Sequence, residues 1–209
     1  IAPLIEGQSP FELERLRRQV FIEYTNIELF FAAVETACWD IVGKSLGKPM
    51  YELLGGWTAP QQTAALNADA AGSGSGTDHE VEFAFCLGIL PPEESRVKAR
   101  EALDTGFSVL KTKAGRDWQQ DVARIEAMHD EVDGQLEFRL DPNQGWTLDQ
   151  AVRVAAKLED SGIYLQYMEQ PIRVDSHRSL ARLRQRSRQP IAPNEVTYIS
   201  HNCRDLIEP

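Results

Sequence analysis

Apolar residues Phe30, Ala33, Val34, Ala37 and Ile41 recur at helical spacing and predict one amphipathic helix over 27–46. Asn26 precedes it as an N-cap, and Gly43, Gly47 and Pro49 bracket its end. A more polar helical stretch covers 11–21, and a short helix over 50–54 runs into Gly55-Gly56. After residue 80 the pattern changes. Short apolar runs at 81–87, 107–113, 136–141 and 163–169, and one opening at 190–195, predict five strands. Helical stretches separate them at 91–104 and 117–132, then at a segment with Ala151, Val154, Ala155 and Leu158 on one face, then at 176–186. Asp117 with Gln120, and Thr147 with Gln150, have the spacing of capping boxes.

Strict alternation of strand and helix predicts an α/β fold with a parallel sheet and crossover helices. The expected organisation is a helical domain over 1–65, a linker over 66–80 and an α/β domain over 81–209. The Gly-Ser run at 71–78 has linker composition. It fails as a phosphate loop, because no Lys-Ser/Thr pair follows and Thr77 stands where a dinucleotide fingerprint needs its third glycine.

Composition narrows the function classes. The 209 residues carry 22 Lys and Arg against 32 Asp and Glu, a net charge of −10, which argues against a nucleic-acid or anionic-membrane surface. No apolar run approaches the ~20 residues of a membrane span, and no signal-like segment opens the sequence. The three cysteines show no CxxC spacing, so a reduced, cytoplasmic setting is expected, with the cysteines acting as small buried hydrophobes. The four histidines receive no role. The basic run 178–188 is expected to be a solvated helix face, and Trp146, Tyr164 and Tyr167 to be core.

The chemistry lies at the predicted strand ends. Lys113, Asp141, Glu169 and Glu195 are separated by 28, 28 and 26 residues. A (β/α)8 barrel spends about 31 residues per unit, so these groups recur once per βα unit and converge on one barrel mouth. Three converging carboxylates repel one another, and a hard divalent cation such as Mg²⁺ relieves that repulsion, whereas a set without Cys or His argues against zinc. Lys111 and Lys113 share one face of their strand. A neighbouring ammonium and a nearby cation would both favour neutral Lys113, which suits it to abstract a proton.

At these residues the chain resembles the enolase superfamily, in its mandelate racemase/muconate lactonizing enzyme branch. Lys111-Thr-Lys113 is similar to the family's KxK motif, Asp141-Pro-Asn-Gln144 to its first metal-ligand motif and Glu169-Gln-Pro171 to its second, while Pro190-Ile-Ala-Pro-Asn-Glu195 occupies the place of the third. Residues 33–44 and 47–56 resemble helices of its capping domain. The resemblance implies a (β/α)8 TIM-like barrel, of which about five strands are present, with part of an α+β capping domain. It implies Mg²⁺ on Asp141, Glu169 and Glu195, with Lys113 as general base. Lys111 would support the base and contact a substrate carboxylate, and Asn143 would touch substrate. Asn194 is the alternative to Glu195 as third ligand; Glu195 is preferred for its charge.

The implied reaction is removal of the proton α to a carboxylate through an enediolate. A sugar-acid or hydroxy-acid dehydratase is the first expectation, and a racemase, epimerase or cycloisomerase the alternative. The family's opposite-face catalyst lies on strands later than the five read here, so the chain is expected to be part of a longer enzyme, a homo-oligomer by family analogy. A non-catalytic barrel module is the rival of another class. A nicotinamide oxidoreductase ranks last, because no GxGxxG follows any predicted strand.

Overall fold

The computed structural model describes residues 1–24, 27–56, 83–173, 177–198 and 200–207. The expected cap Asn26, the 66–80 linker and His79 lie outside the described residues, as do the side chains of His177 and His201. Two compact units are present, Ile1–Glu80 and Val81–Pro209. No described helix is long and apolar enough to cross a membrane.

The first unit contains α1 (Ala2–Ile5), α2 (Leu13–Glu23), α3 (Glu28–Leu46) and α4 (Met50–Leu53). Leu16 and Val20 of α2 bury against Phe31 and Cys38 of α3, and Phe21 meets Phe31 edge-on at 5.6 Å. The buried face of α3 is therefore not the expected one. Phe30, Ala33, Ala37 and Ile41 are exposed, and of the expected set Val34 alone packs against this core. α3 is apolar around much of its circumference, so helical periodicity fits two adjacent faces equally well. Contact with α2 selects the face one residue further round.

The second unit runs β1 (Phe85–Leu87), α5 (Pro92–Asp104), β2 (Val109–Lys113), α6 (Trp118–Glu131), β3 (Glu137–Asp141), α7 (Leu148–Asp160), β4 (Tyr167–Glu169), α8 (His177–Arg186), β5 (Ile191–Ala192) and α9 (Ser200–Ile207). The sheet order is β1-β2-β3-β4-β5, with every pairing parallel. These are consecutive βα units of a (β/α)8 barrel. Leu110, Phe138, Leu140 and Met168 pack with Ile125 and Met128 of α6 and with the Ala151, Val154, Ala155, Leu158 face of α7. The two-way capping box forms at Thr147 and Gln150. Asp117 instead caps α6 through the backbone N–H groups of Gln119 and Gln120.

All five strands are shorter than expected. The segment 163–166 is not strand, although Ile163 and Leu165 are buried. Part of its backbone is satisfied by a side chain, the Leu165 N–H donating to Gln189 Oε1 at 2.9 Å. Apolar residues there report burial rather than pairing. β5 is only two residues long because Pro190 and Pro193, which cannot donate to a ladder, flank it. Glu195 consequently lies in a 3-10 turn, Glu195–Tyr198, and not at a strand end. Trp146 is core as expected, whereas Tyr164 is exposed; Cys38 is buried but Cys86 is exposed. Arg182, Arg184, Arg186 and Arg188 are solvated, as the charge pattern implied.

The loops after β2 and β3 press together at Gly115 and Gly145. Gly115 has φ +100°, and a Cβ there would strike the Pro142 carbonyl oxygen. A Cβ on Gly145 would stand 2.5 Å from the Gly115 carbonyl oxygen. Gly115→Ala is therefore expected to cost at least ~1–3 kcal/mol from backbone strain, read as a lower urea midpoint. An unchanged midpoint would show that these loops do not need the contact.

Candidate active site

Parallel pairing sets the height of each group. In the β2–β3 register Lys113 stands opposite Asp141 and Lys111 opposite Arg139. In the β4–β5 register Glu169 stands opposite Ala192. Alternation along each strand sends Lys111, Lys113, Asp141 and Glu169 to one face, while Leu110, Thr112, Leu140 and Met168 are buried on the other.

The side chains form one connected network. Lys113 Nζ donates to Asp141 Oδ2 at 2.7 Å and to Asn143 Oδ1 at 2.7 Å. Lys111 reaches the same Asp141 oxygen at 3.1 Å and also binds Glu169. Asn143 Nδ2 donates to Glu195 Oε1 at 3.3 Å, and Asn194 Nδ2 to Glu169 Oε1 at 2.9 Å. All six expected site residues are thus brought together, along with Asn194. The Asp141 side chain is 1% exposed, that of Lys111 24% and that of Lys113 47%, so Lys113 is the more accessible amine. Asn143 (φ +46°), Gln144 (φ +66°) and Gln170 (φ +38°) hold left-handed backbone in the loops that follow the carboxylates. Such conformations cost about 1–3 kcal/mol each and persist where surrounding contacts enforce them.

The charges shift one another. Burial would raise the Asp141 pKa, but hydrogen bonds and charge from Lys113 and Lys111 outweigh it and hold the carboxyl below its ordinary value. Burial would lower the Lys111 pKa, but hydrogen bonds to Glu169 and Asp141 outweigh it and hold the ammonium above its ordinary value. Lys111 is therefore a stable cation in this arrangement.

Whether the residues suit a divalent cation follows from their donors. Among the described residues no three His, Cys, Asp or Glu side chains are grouped as a ready metal cluster. Lys111 bridges Asp141 and Glu169 instead, and Lys113 pairs with Asp141. The donor set is nevertheless all hard oxygen, which suits Mg²⁺. Glu195 Oε2 is buried and takes no hydrogen bond among the described residues. A buried carboxylate oxygen without a partner is costly and calls for a cationic or donor partner. The chemistry of the site fits a hard divalent cation.

A second buried layer supports the first. Arg124 and Asp121 of α6 form an ion pair with side chains 2% and 1% exposed. Arg124 Nη2 donates to the Lys113 carbonyl at 3.1 Å, and Nη1 to the Leu90 carbonyl at 3.3 Å. Asp121 Oδ2 accepts the Gly115 N–H at 2.8 Å and the Trp146 indole N–H at 3.1 Å. The pair therefore anchors the backbone of the site lysine to the neighbouring loops. Sequence reading missed it, although a signal was present: two charges at i, i+3 share the helix face of buried Val122, Ile125 and Met128.

Comparison with known proteins bears on this arrangement. Residues 1–55 match the model for the mandelate racemase/muconate lactonizing enzyme N-terminal domain, and residues 94–209 match the enolase C-terminal domain-like model. The chain belongs to the mandelate racemase/muconate lactonizing enzyme branch of the enolase superfamily. It is 26% identical over 208 residues to the N-succinyl-L-Arg/Lys racemase of Bacillus cereus, covering 100% of this chain and 51% of that protein. It is 29% identical over 172 residues to the arabinonate dehydratase of Saccharolobus solfataricus, covering 80% of this chain and 40% of that protein. The crystal structure of the dipeptide epimerase from Enterococcus faecalis V583, complexed with Mg and the dipeptide L-Leu-L-Tyr, superposes with a TM-score of 0.78 at 27% identity, covering 97% of this chain and 51% of the other. The chain spans about half the length of the curated relatives it matches. Most of the similar curated proteins are epimerases or racemases, so the dehydratase expectation is the weaker of the two.

Two outcomes follow for the metal-free protein. The depressed Asp141 pKa contributes stability that is present above the unfolded value of about 3.9 and lost as pH falls through the folded value. The raised Lys111 pKa contributes stability that is present below about 10.4 and lost as pH rises through the folded value. Urea midpoints should fall along both limbs, and Asp141→Asn should flatten the acid limb; equal acid slopes would contradict the assignment. Arg124→Met, which strands Asp121 as a buried charge, should cost about 3–5 kcal/mol by urea unfolding; a cost under ~1 kcal/mol would mean that Asp121 finds another partner.

Proposed function

We propose that the protein carrying this chain is an Mg²⁺-dependent racemase or epimerase acting on the α-carbon of a carboxylate substrate. The observation that carries the reading is the Lys113–Asp141–Lys111–Glu169 network on one sheet face at the carboxyl ends of parallel strands, the end where such barrels place their chemistry. Among carboxylates, N-acyl amino acids and dipeptides are favoured, because similar proteins are named for acting on such compounds.

Asp141, Glu169 and Glu195 would hold the cation, with Glu195 preferred over Asn194. Asn194 already donates its amide to Glu169, whereas Glu195 presents a buried, unpartnered oxygen. When bound, Mg²⁺ supplies positive charge that favours build-up of negative charge on a substrate carboxylate. Lys113, the more exposed amine, takes the α-proton from one face of the substrate. Lys111 remains protonated and offers its cation to the substrate carboxylate as charge develops there. Asn143 orients Lys113 through its side-chain oxygen and stands beside Glu195, within the same group of polar side chains.

A dehydratase is the second reading, favoured by the likeness to the arabinonate dehydratase. The intact protein, incubated in D₂O with Mg²⁺ and a panel of dipeptides, N-acyl amino acids and sugar acids, distinguishes the two by proton NMR. The expected result is loss of the α-proton signal with appearance of the epimer and an intact β-carbon. Release of water with formation of a 2-oxo acid would establish the dehydratase. No exchange with any member of the panel, together with no Mg²⁺ binding, would return the protein to a non-catalytic barrel. Lys113→Met should lower kcat by about 10²–10⁴-fold without unfolding the protein.

A further inference from the structure

We propose that Gln170 is a positioning residue that seats Glu195 for cation binding, acting through the loop backbone rather than by touching the cation. This rests on the preceding reading of Glu195 as a ligand. Glu195 comes from a 3-10 turn and not from the sheet, so no strand register fixes it. Something else must set where its carboxylate stands.

Gln170 is fully buried and sits immediately after Glu169. Its Oε1 accepts the backbone N–H groups of Asn194 at 3.0 Å and Val196 at 3.3 Å, the residues on either side of Glu195. Its Nε2 donates to the Ile172 carbonyl at 3.0 Å, which fixes which end of the amide faces the turn. Its own N–H donates to the Ala192 carbonyl at 2.8 Å, and its carbonyl accepts the Gln144 N–H at 2.8 Å. One neutral side chain thus ties the turn bearing Glu195 to the strand end bearing Glu169, while its backbone ties both to the loop bearing Asn143. The φ of +38° is a strained setting for a residue with a side chain, and the bonds at both ends of the amide hold it there.

An amide suits this post better than a carboxylate. Its oxygen accepts two N–H groups, its nitrogen satisfies a buried carbonyl, and it adds no fourth negative charge beside Glu169 and Glu195. Without it, the Asn194 and Val196 N–H groups, the latter buried, lose their acceptor and the turn is free to move the Glu195 carboxylate.

The test is Mg²⁺ binding to the intact, folded protein by calorimetry, with no substrate present. Gln170→Met removes the acceptor at nearly constant shape, and Gln170→Asn withdraws it by one methylene and carries the same test should the first variant fail to fold. Both are expected to weaken Mg²⁺ by about 10–100-fold, as loss of groups that orient metal ligands commonly does. In a Glu195→Gln background, Gln170→Asn should produce no further loss, since its effect passes through Glu195. Unchanged affinity in the folded variants, or a loss that adds fully to that of Glu195→Gln, would overturn the proposal. Equal Mg²⁺ affinity of the unmodified protein and Glu195→Gln would instead overturn the ligand assignment on which it rests.

Discussion

Asp141 buries a carboxylate against two ammonium groups, and the arrangement of the whole site depends on that contact. Lys111 and Lys113 come from one strand, two residues apart, and both reach the same oxygen. They can do so only because the parallel register sets Lys113 beside Asp141. Shifting β2 by one residue would turn both amines toward the helices and place Thr112 in the site. The register is enforced from behind by Leu110, Leu140 and Met168 packed on α6 and α7, and at the strand ends by Arg124 holding the Lys113 carbonyl. Core packing, a buried ion pair and two tightly apposed glycines thus converge on the height of one amine.

The network is also a statement about charge. Three acidic side chains and two lysines share a small region, with Asn143 and Asn194 joining them at its margins. The amines neutralise Asp141 and Glu169 in this arrangement, but one Glu195 oxygen is left buried without a donor. A cation entering the site would compete with the lysines for the same carboxylates. Release of Lys113 from Asp141 is also what the proposed base would need in order to reach a substrate. Under the proposed function, metal binding and freeing of the base would be coupled through one carboxylate.

Much of this was legible in the sequence because it follows from short-range rules. Alternation placed Lys111 and Lys113 on one face, and the regular spacing from Lys113 to Asp141 to Glu169 marked successive βα units. Thr147 and Gln150 formed the box that their spacing implied. The misses share a cause: they depend on which partner an element meets. The apolar pattern of α3 fitted two faces, and contact with α2 chose between them. Ile163 and Leu165 are buried without strand pairing, and two prolines cut β5 short, so Glu195 arrived on a turn. Asp121 and Arg124 were overlooked, and Gln170 was read only as part of the Glu169-Gln-Pro171 motif, because a polar residue in a sequence reads as surface until its partners are known. Their positions on buried faces were the available signal.

The most direct test of the account is a crystal structure of the intact protein grown with Mn²⁺ in place of Mg²⁺, with the ion located by its anomalous signal. The account predicts one ion contacting Asp141, Glu169 and Glu195, with Lys113 Nζ no longer bonded to Asp141. An ion bound elsewhere, or lysines still clamping an ion-free Asp141 at saturating Mn²⁺, would contradict it.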